Sequence, residues 1–154
     1  MSAHPDVEIS VVGGDGRLLE SVAELFDDYR AHYGRERSRV RARAWLGDQI
    51  SSGRIRMAAA IVEGAPRAFV TTAPSPASLA LGTAWMVKDL WVDAAFRRSG
   101  LARRLIEGVV DAARLAGATR LSLQTEPANA PALSLYAELG FRPIEDLTLL
   151  GLDL

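Results

Sequence analysis

The residues whose types and spacing carry the most chemistry are Arg97-Arg98-Ser99-Gly100-Leu101-Ala102. They close a short loop after the apolar stretch Leu90-Trp91-Val92 and open a long amphipathic run. The first backbone amides of a helix have no partner within it, and together with the helix dipole they bind anions. Gly100 lets the backbone come close to a ligand, Ser99 adds a hydroxyl donor, and Ala102 keeps the first turn open. Arg97 and Arg98 raise the local positive potential. Such a cradle suits a diphosphate. Arg-x-x-Gly-x-Ala alone is a weak pattern, because arginines are common at helix starts; its place between a strand and a long helix gives it weight.

The elements that must position this loop follow from hydrophobic periodicity. Residues 8–12 alternate as a strand, and Gly13-Gly14-Asp15-Gly16 is a turn in which Asp15 can cap the next helix. Leu18, Leu19, Val22, Leu25, Phe26 and Tyr29 recur in steps of three and four, which predicts a helix over 18–32. A second helix covers 40–50. Around the junction lie Arg35, Arg37, Arg39, Arg41 and Arg43, read either as a solvated connection or as a basic rim over a cleft. Residues 55–62 and 67–73 form a hairpin around Glu63-Gly64-Ala65-Pro66, and 74–78 read as a loop. A central strand spans 81–92, a strong helix spans 101–116 and ends at Gly117, and a strand spans 119–125. A shorter helix over 129–139 and a closing strand over 147–154 complete the order β-α-α-β-β-β-α-β-α-β. The expected fold is α/β (α+β) with an antiparallel first half and a parallel crossover in the second.

Composition bounds the rest. The 154 residues suit a single domain over 1–154, and 49% hydrophobic with 24% charged residues is the mix of a chain with a real core. The formal charge of -1 lacks the basic excess of a generic nucleic-acid binder, so no nucleic acid is expected as partner. No run approaches the ~18 apolar residues of a membrane span, and the first residues show no basic segment followed by an apolar one. A cytoplasmic location and no membrane partner are therefore the expectations. Cysteine is absent, which excludes disulfides, thiol nucleophiles and thiolate metal sites. Only His4, in an expected mobile tail, and His32 supply imidazole, so a three-histidine zinc site is excluded and no metal is expected. Of the 18 lysines and arginines only Lys88 is a lysine; the arginine excess reads as codon bias or as selection for bidentate anion binding.

Three stretches together resemble the GNAT superfamily of N-acetyltransferases. Arg97, Gly100 and Ala102 fill a pattern similar to its Gln/Arg-x-x-Gly-x-Gly/Ala acyl-CoA motif. Asp89-Leu90-Trp91-Val92 resembles its strand end, and the run from Asn129 through Ala132 and Tyr136 to Gly140-Phe141 resembles its Asn-x-x-Ala-x-x-x-Tyr-x-x-x-Gly-Phe motif. The match covers about residues 85–141, and a shorter likeness lies in Tyr29-Arg30-Ala31-His32-Tyr33.

The resemblance implies a mixed, mostly antiparallel central sheet with a splayed parallel strand pair, flanked by helices. It implies acetyl-CoA as cofactor and transfer of an acetyl group to a primary amine of a small molecule or a protein, by direct attack in a ternary complex. Leu90, Trp91 and Val92 would offer backbone to the pantetheine arm. Arg97, Arg98, Ser99, Gly100, Leu101 and Ala102 would hold the pyrophosphate. Asn129, Ala132 and Tyr136 would contact the cofactor, and Tyr136 would also protonate the departing thiolate. The family often places a carboxylate base near position 88, where this chain has Lys88. Asp89, turned to the other face unless the strand bulges, and Glu126 are the alternatives, as is a water chain. Lys88 can instead bind a substrate carboxylate. Tyr29, Tyr33 and Trp85 are candidates for an aromatic wall that holds an amine, or are simply core. A non-catalytic acyl-CoA-sensing module is the alternative function, and a homodimer is expected by analogy with the fold.

Overall fold

In the computed structural model, residues 6–154 are described; His4 lies outside them. The apolar stripe read from the sequence winds α1 (Arg17–His32), whose Leu19, Val22, Ala23, Leu25 and Phe26 are buried. Gly16, at φ +91°, stands at its N-cap with no side-chain capping bond, so Asp15 does not cap it. In α2 (Arg39–Ser51) only Ala42 and Leu46 are buried, and the Ser38 side chain accepts from Arg41 N. Two glycines bring α2 against the 13–16 turn. A Cβ on Gly47 would stand 2.9 Å from the Gly14 carbonyl oxygen, and one on Gly14 would stand 1.9 Å from Ser51 Oγ.

The odd-numbered arginines form a ladder between these helices. Arg43 pairs with Glu20, Arg39 with Glu24 and Arg37 with Asp28. The three carboxylates recur every four residues and so line one face of α1. Asp27, buried at 4% exposure, takes Arg30 at 2.7 Å and the Ser38 amide at 3.1 Å, and thereby fixes the link between the helices. The stretch is largely solvent-exposed, as the connection reading has it, but it is not a free basic rim: three of its five arginines pair with α1.

Five strands make one sheet in chain order: β1 (Val7–Val11), β2 (Arg56–Val62), β3 (Ala65–Ala77), β4 (Gly82–Val92) and β5 (Arg120–Leu123). The first four are antiparallel and β5 joins β4 in parallel. One face carries α1 and α2 on a core that includes Met57, Ala59 and Phe69. The other carries α3 (Leu101–Leu115), which buries Leu101, Leu105, Ile106, Val109 and Ala113. At its end Gly117, at φ +72°, donates to Arg114 O, and Ala118 N reaches Ala113 O. These two bonds satisfy the last carbonyls, as the sequence predicted for this glycine.

Three expectations are corrected. Residues 74–77, expected as loop, continue β3 and pair with β4 from Pro74↔Trp85 to Ala77↔Gly82. Two prolines are tolerated because β2 stops pairing at Thr72. Beyond it that side of β3 is an edge, where a missing N–H costs no ladder bond. The strand over 119–125 is shorter, Arg120–Leu123. Residues 147–154 form no strand, and Leu147, Leu149, Leu150, Leu152 and Leu154 are exposed. The alternation breaks at Leu149-Leu150, and a strand needs a partner for its backbone groups.

Two compact units make up the chain, one ending at Gln124 and one over Thr125–Leu154. The first holds the whole sheet; the second holds α4 (Ala130–Glu138). Among the described residues no helix is long and apolar enough to cross a membrane.

Candidate functional site

The decisive irregularity of the first unit is in β4. Val87 pairs with Thr72, but Asp89 pairs with Thr71, so Lys88 is the extra residue of a bulge. Without the bulge, alternation would turn Asp89 toward the α3 face. With it, Asp89 turns to the α1 face, where Tyr29 donates its hydroxyl to Asp89 Oδ1 at 2.8 Å. Thr71, fully buried, donates to Asp89 Oδ2. Burial first, and then the hydrogen bond to Asp89 and its charge, push the Tyr29 phenol well above the usual tyrosine range. It stays a donor at any physiological pH.

Tyr29 also organises an aromatic cluster. Its ring lies 5.2 Å from Tyr33, 5.6 Å from Phe69 and 5.7 Å from Trp91. His32 lies 4.9 Å from Trp91. Trp85 is not part of it. It pairs with Pro74, on the face opposite Thr71 and Phe69, and Arg56 stacks on its ring at 4.8 Å. The wall expected from Tyr29, Tyr33 and Trp85 is thus built with Trp91 in the third place. Sequence reading missed this because the bulge reverses the alternation between positions 85 and 91.

The bulge also marks where the parallel pair ends. β5 pairs with Ala84 through Val87 only, whereas β4 runs on to Val92. Residues 88–92 therefore have an open backbone edge, which includes Leu90, Trp91 and Val92. Asp93 follows, its side chain accepting from Ala95 N at 3.1 Å, and a single 3-10 turn over Ala94–Phe96 leads into the loop. Arg97 stacks on Trp91 at 4.8 Å and donates from Nε to Val92 O at 3.3 Å. Arg98 holds φ +60°, and Ser99 donates to Phe96 O. Gly100, at φ +82°, precedes Leu101 and Ala102 of α3, and no side chain caps the helix. A Cβ on Gly100 would meet no atom within 4 Å. This cradle has first-turn amides that the helix does not use, no side-chain capping bond and two arginines just before it in the chain. Its residues fit a diphosphate and, with the open β4 edge, the amide-bearing arm of an acyl-CoA.

The second unit holds the remaining candidates. Asn129 caps α4, its side chain accepting from Ala132 N at 3.3 Å, and its own amide donates to Glu126 O at 3.0 Å. The Glu126 side chain is exposed. Tyr136 is buried, with its ring 5.8 Å from Phe141, and burial raises its phenol above the usual tyrosine range.

Known proteins agree with this architecture. Residues 19–141 match the model of the acetyltransferase (GNAT) family. An uncharacterized N-acetyltransferase of Bacillus subtilis (strain 168), YhfO, is 30% identical over 121 residues, which is 79% of this chain and 81% of that protein. The crystal structure of a probable acetyltransferase superposes with TM-score 0.88 at 25% identity, over 96% of this chain and 97% of that one. An aminoglycoside acetyltransferase from an uncultured soil metagenomic sample shares the fold, with TM-score 0.82 at 16% identity over 96% of both chains. By its motifs, its sheet with one parallel pair and its relatives, this chain belongs to the GNAT acetyltransferase family and is an acyltransferase.

Proposed function

We propose that the protein transfers an acetyl group from acetyl-CoA to a primary amine by direct attack in a ternary complex. The observation that carries this is the open, uncapped start of α3 behind Gly100, next to the unpaired edge of β4. Acetyl-CoA, bound there, supplies the activated thioester. The α3 amides and Arg98 hold its diphosphate, and the 88–92 edge offers backbone partners to the pantetheine arm. Asn129 and Ala132 are assigned to cofactor contact on the family motif.

Tyr136 is assigned as the general acid. As the nitrogen–carbon bond forms and the carbon–sulfur bond breaks, its hydroxyl proton goes to the departing sulfur. Burial favours this role, because a phenol raised above its ordinary value still carries its proton at neutral pH. Asp89 has both oxygens engaged by Tyr29 and Thr71, so we assign it to positioning. We keep Glu126, whose side chain is exposed, as the candidate to accept the amine proton through water, beside a water chain without a dedicated base. The cytoplasm and a homodimer complete this reading.

The test is an acceptor screen that reads free CoA. Tyr136→Phe should lower kcat by roughly 10²–10⁴-fold, the usual worth of a general acid, with acetyl-CoA affinity unchanged. Because the folded-state phenol is raised, the alkaline loss of kcat due to Tyr136 should lie above the ordinary tyrosine range near pH 10. An alkaline limb between pH 8 and 9 that vanishes in Tyr136→Phe would sink the assignment. Tight acetyl-CoA binding with no CoA release across all amines would support the sensing module instead; that reading draws on Lys88 at the family's base position.

A further inference from the structure

We propose that the acceptor carries a carboxylate close to its amine, as an α-amino acid does, and that Lys88 binds it. This rests on the transferase reading and names the substrate class for that site. Lys88 is the bulge residue, which leaves the β3–β4 ladder where β5 stops pairing. It is exposed, and its nearest polar contact is the thioether of Met86, Nζ to Sδ at 3.9 Å. Among the described residues no carboxylate lies within 4 Å of its ammonium. The adjacent carboxylate, Asp89, is committed to Tyr29 and Thr71 on the α1 face. The open end of β4 therefore presents one cation without a counter-ion.

A polycationic amine would meet like charge there, whereas a zwitterion brings the missing anion. The same cation favours the chemistry. An amine must be neutral to attack, and a nearby positive charge disfavours its ammonium form. The aromatic cluster begins one residue away, through the Tyr29–Asp89 bond, and offers Tyr33, 60% exposed, to an apolar side chain.

Two measurements test this. The first compares kcat/KM for phenylalanine and for phenethylamine, which lacks the carboxylate. Phenylalanine should be preferred by roughly 10- to 100-fold, the worth of one charge-assisted hydrogen bond. Lys88→Met should abolish the preference and Lys88→Arg should keep it. The second needs no turnover. Lys88 is the only lysine, so an acetylating succinimidyl ester modifies its side chain alone among side-chain amines, read by mass spectrometry. N-acetylphenylalanine should protect it and N-acetylphenethylamine should not. Equal use of both amines with no protection by the carboxylate would overturn the inference while leaving the transferase intact. If no amine releases CoA, the transferase reading fails, and the protection experiment alone decides whether Lys88 binds carboxylates.

Discussion

Composition cannot tell apart two groups of cations in this molecule. Between α1 and α2, Arg37, Arg39 and Arg43 each face a carboxylate of α1, so their charge is cancelled within the fold. Around the bulge and the start of α3, Lys88 rests near a thioether and Arg97 on an indole ring and a carbonyl. The first group bridges two helices on their exposed side. The second leaves positive potential exposed where backbone amides are also unused. A net charge of -1, from 18 lysines and arginines against 19 aspartates and glutamates, does not show this division. Position, rather than number, separates an arginine paired within the fold from one assigned to binding.

The sharpest way to break this contrast is Gly100→Val. A β-branched residue at φ +82° is strained, although a Cβ there would meet no atom within 4 Å. Acetyl-CoA binding measured by calorimetry should weaken by roughly 10- to 100-fold, because ~1–3 kcal/mol of strain at that φ shifts the loop away from the cradle conformation that binds. Circular dichroism should show an intact fold. Unchanged affinity would mean that the cradle is not the diphosphate site.

Gly47→Ala acts on the other region. In an open helix alanine stabilises by about 1 kcal/mol over glycine. Here its Cβ would press on the Gly14 carbonyl oxygen at 2.9 Å, so the sign should reverse to a loss of about 1–3 kcal/mol in denaturant unfolding. A stabilised variant would show that the turn can move away.

The smallest effect is expected for Arg39→Ala. Its pair with Glu24 is more than half exposed on both sides, and such pairs contribute about 0.2–1 kcal/mol. The loss should shrink in high salt, and acetyl-CoA affinity should not change. If affinity falls, the ladder is not separate from the binding region.

Most of the architecture was legible because it rests on local pattern. The stripe from Leu18 to Tyr29 and the stop at Gly117 predict their helices closely. The strand–loop–helix run through Gly100 was legible for the same reason. What the sequence could not show depends on pairing between distant strands. The bulge at Lys88 exists only in register with Thr71 and Thr72, and it alone decides which face receives Asp89 and Trp91. The arginine ladder was half visible: Arg39 and Arg43 share the four-residue step of Glu20, Glu24 and Asp28, but matching the two helices needs their packing. The closing strand failed because alternating leucines state a preference and supply no partner.

Pro74 and Pro76 have a consequence beyond their tolerance in β3. Where β2 ends, the strand presents a bare rim to solvent, and a bare rim is a template for a strand from another molecule. Two missing donors at alternate positions leave any such visitor half unpaired. The two prolines thereby work against chain-to-chain sheet growth along this rim.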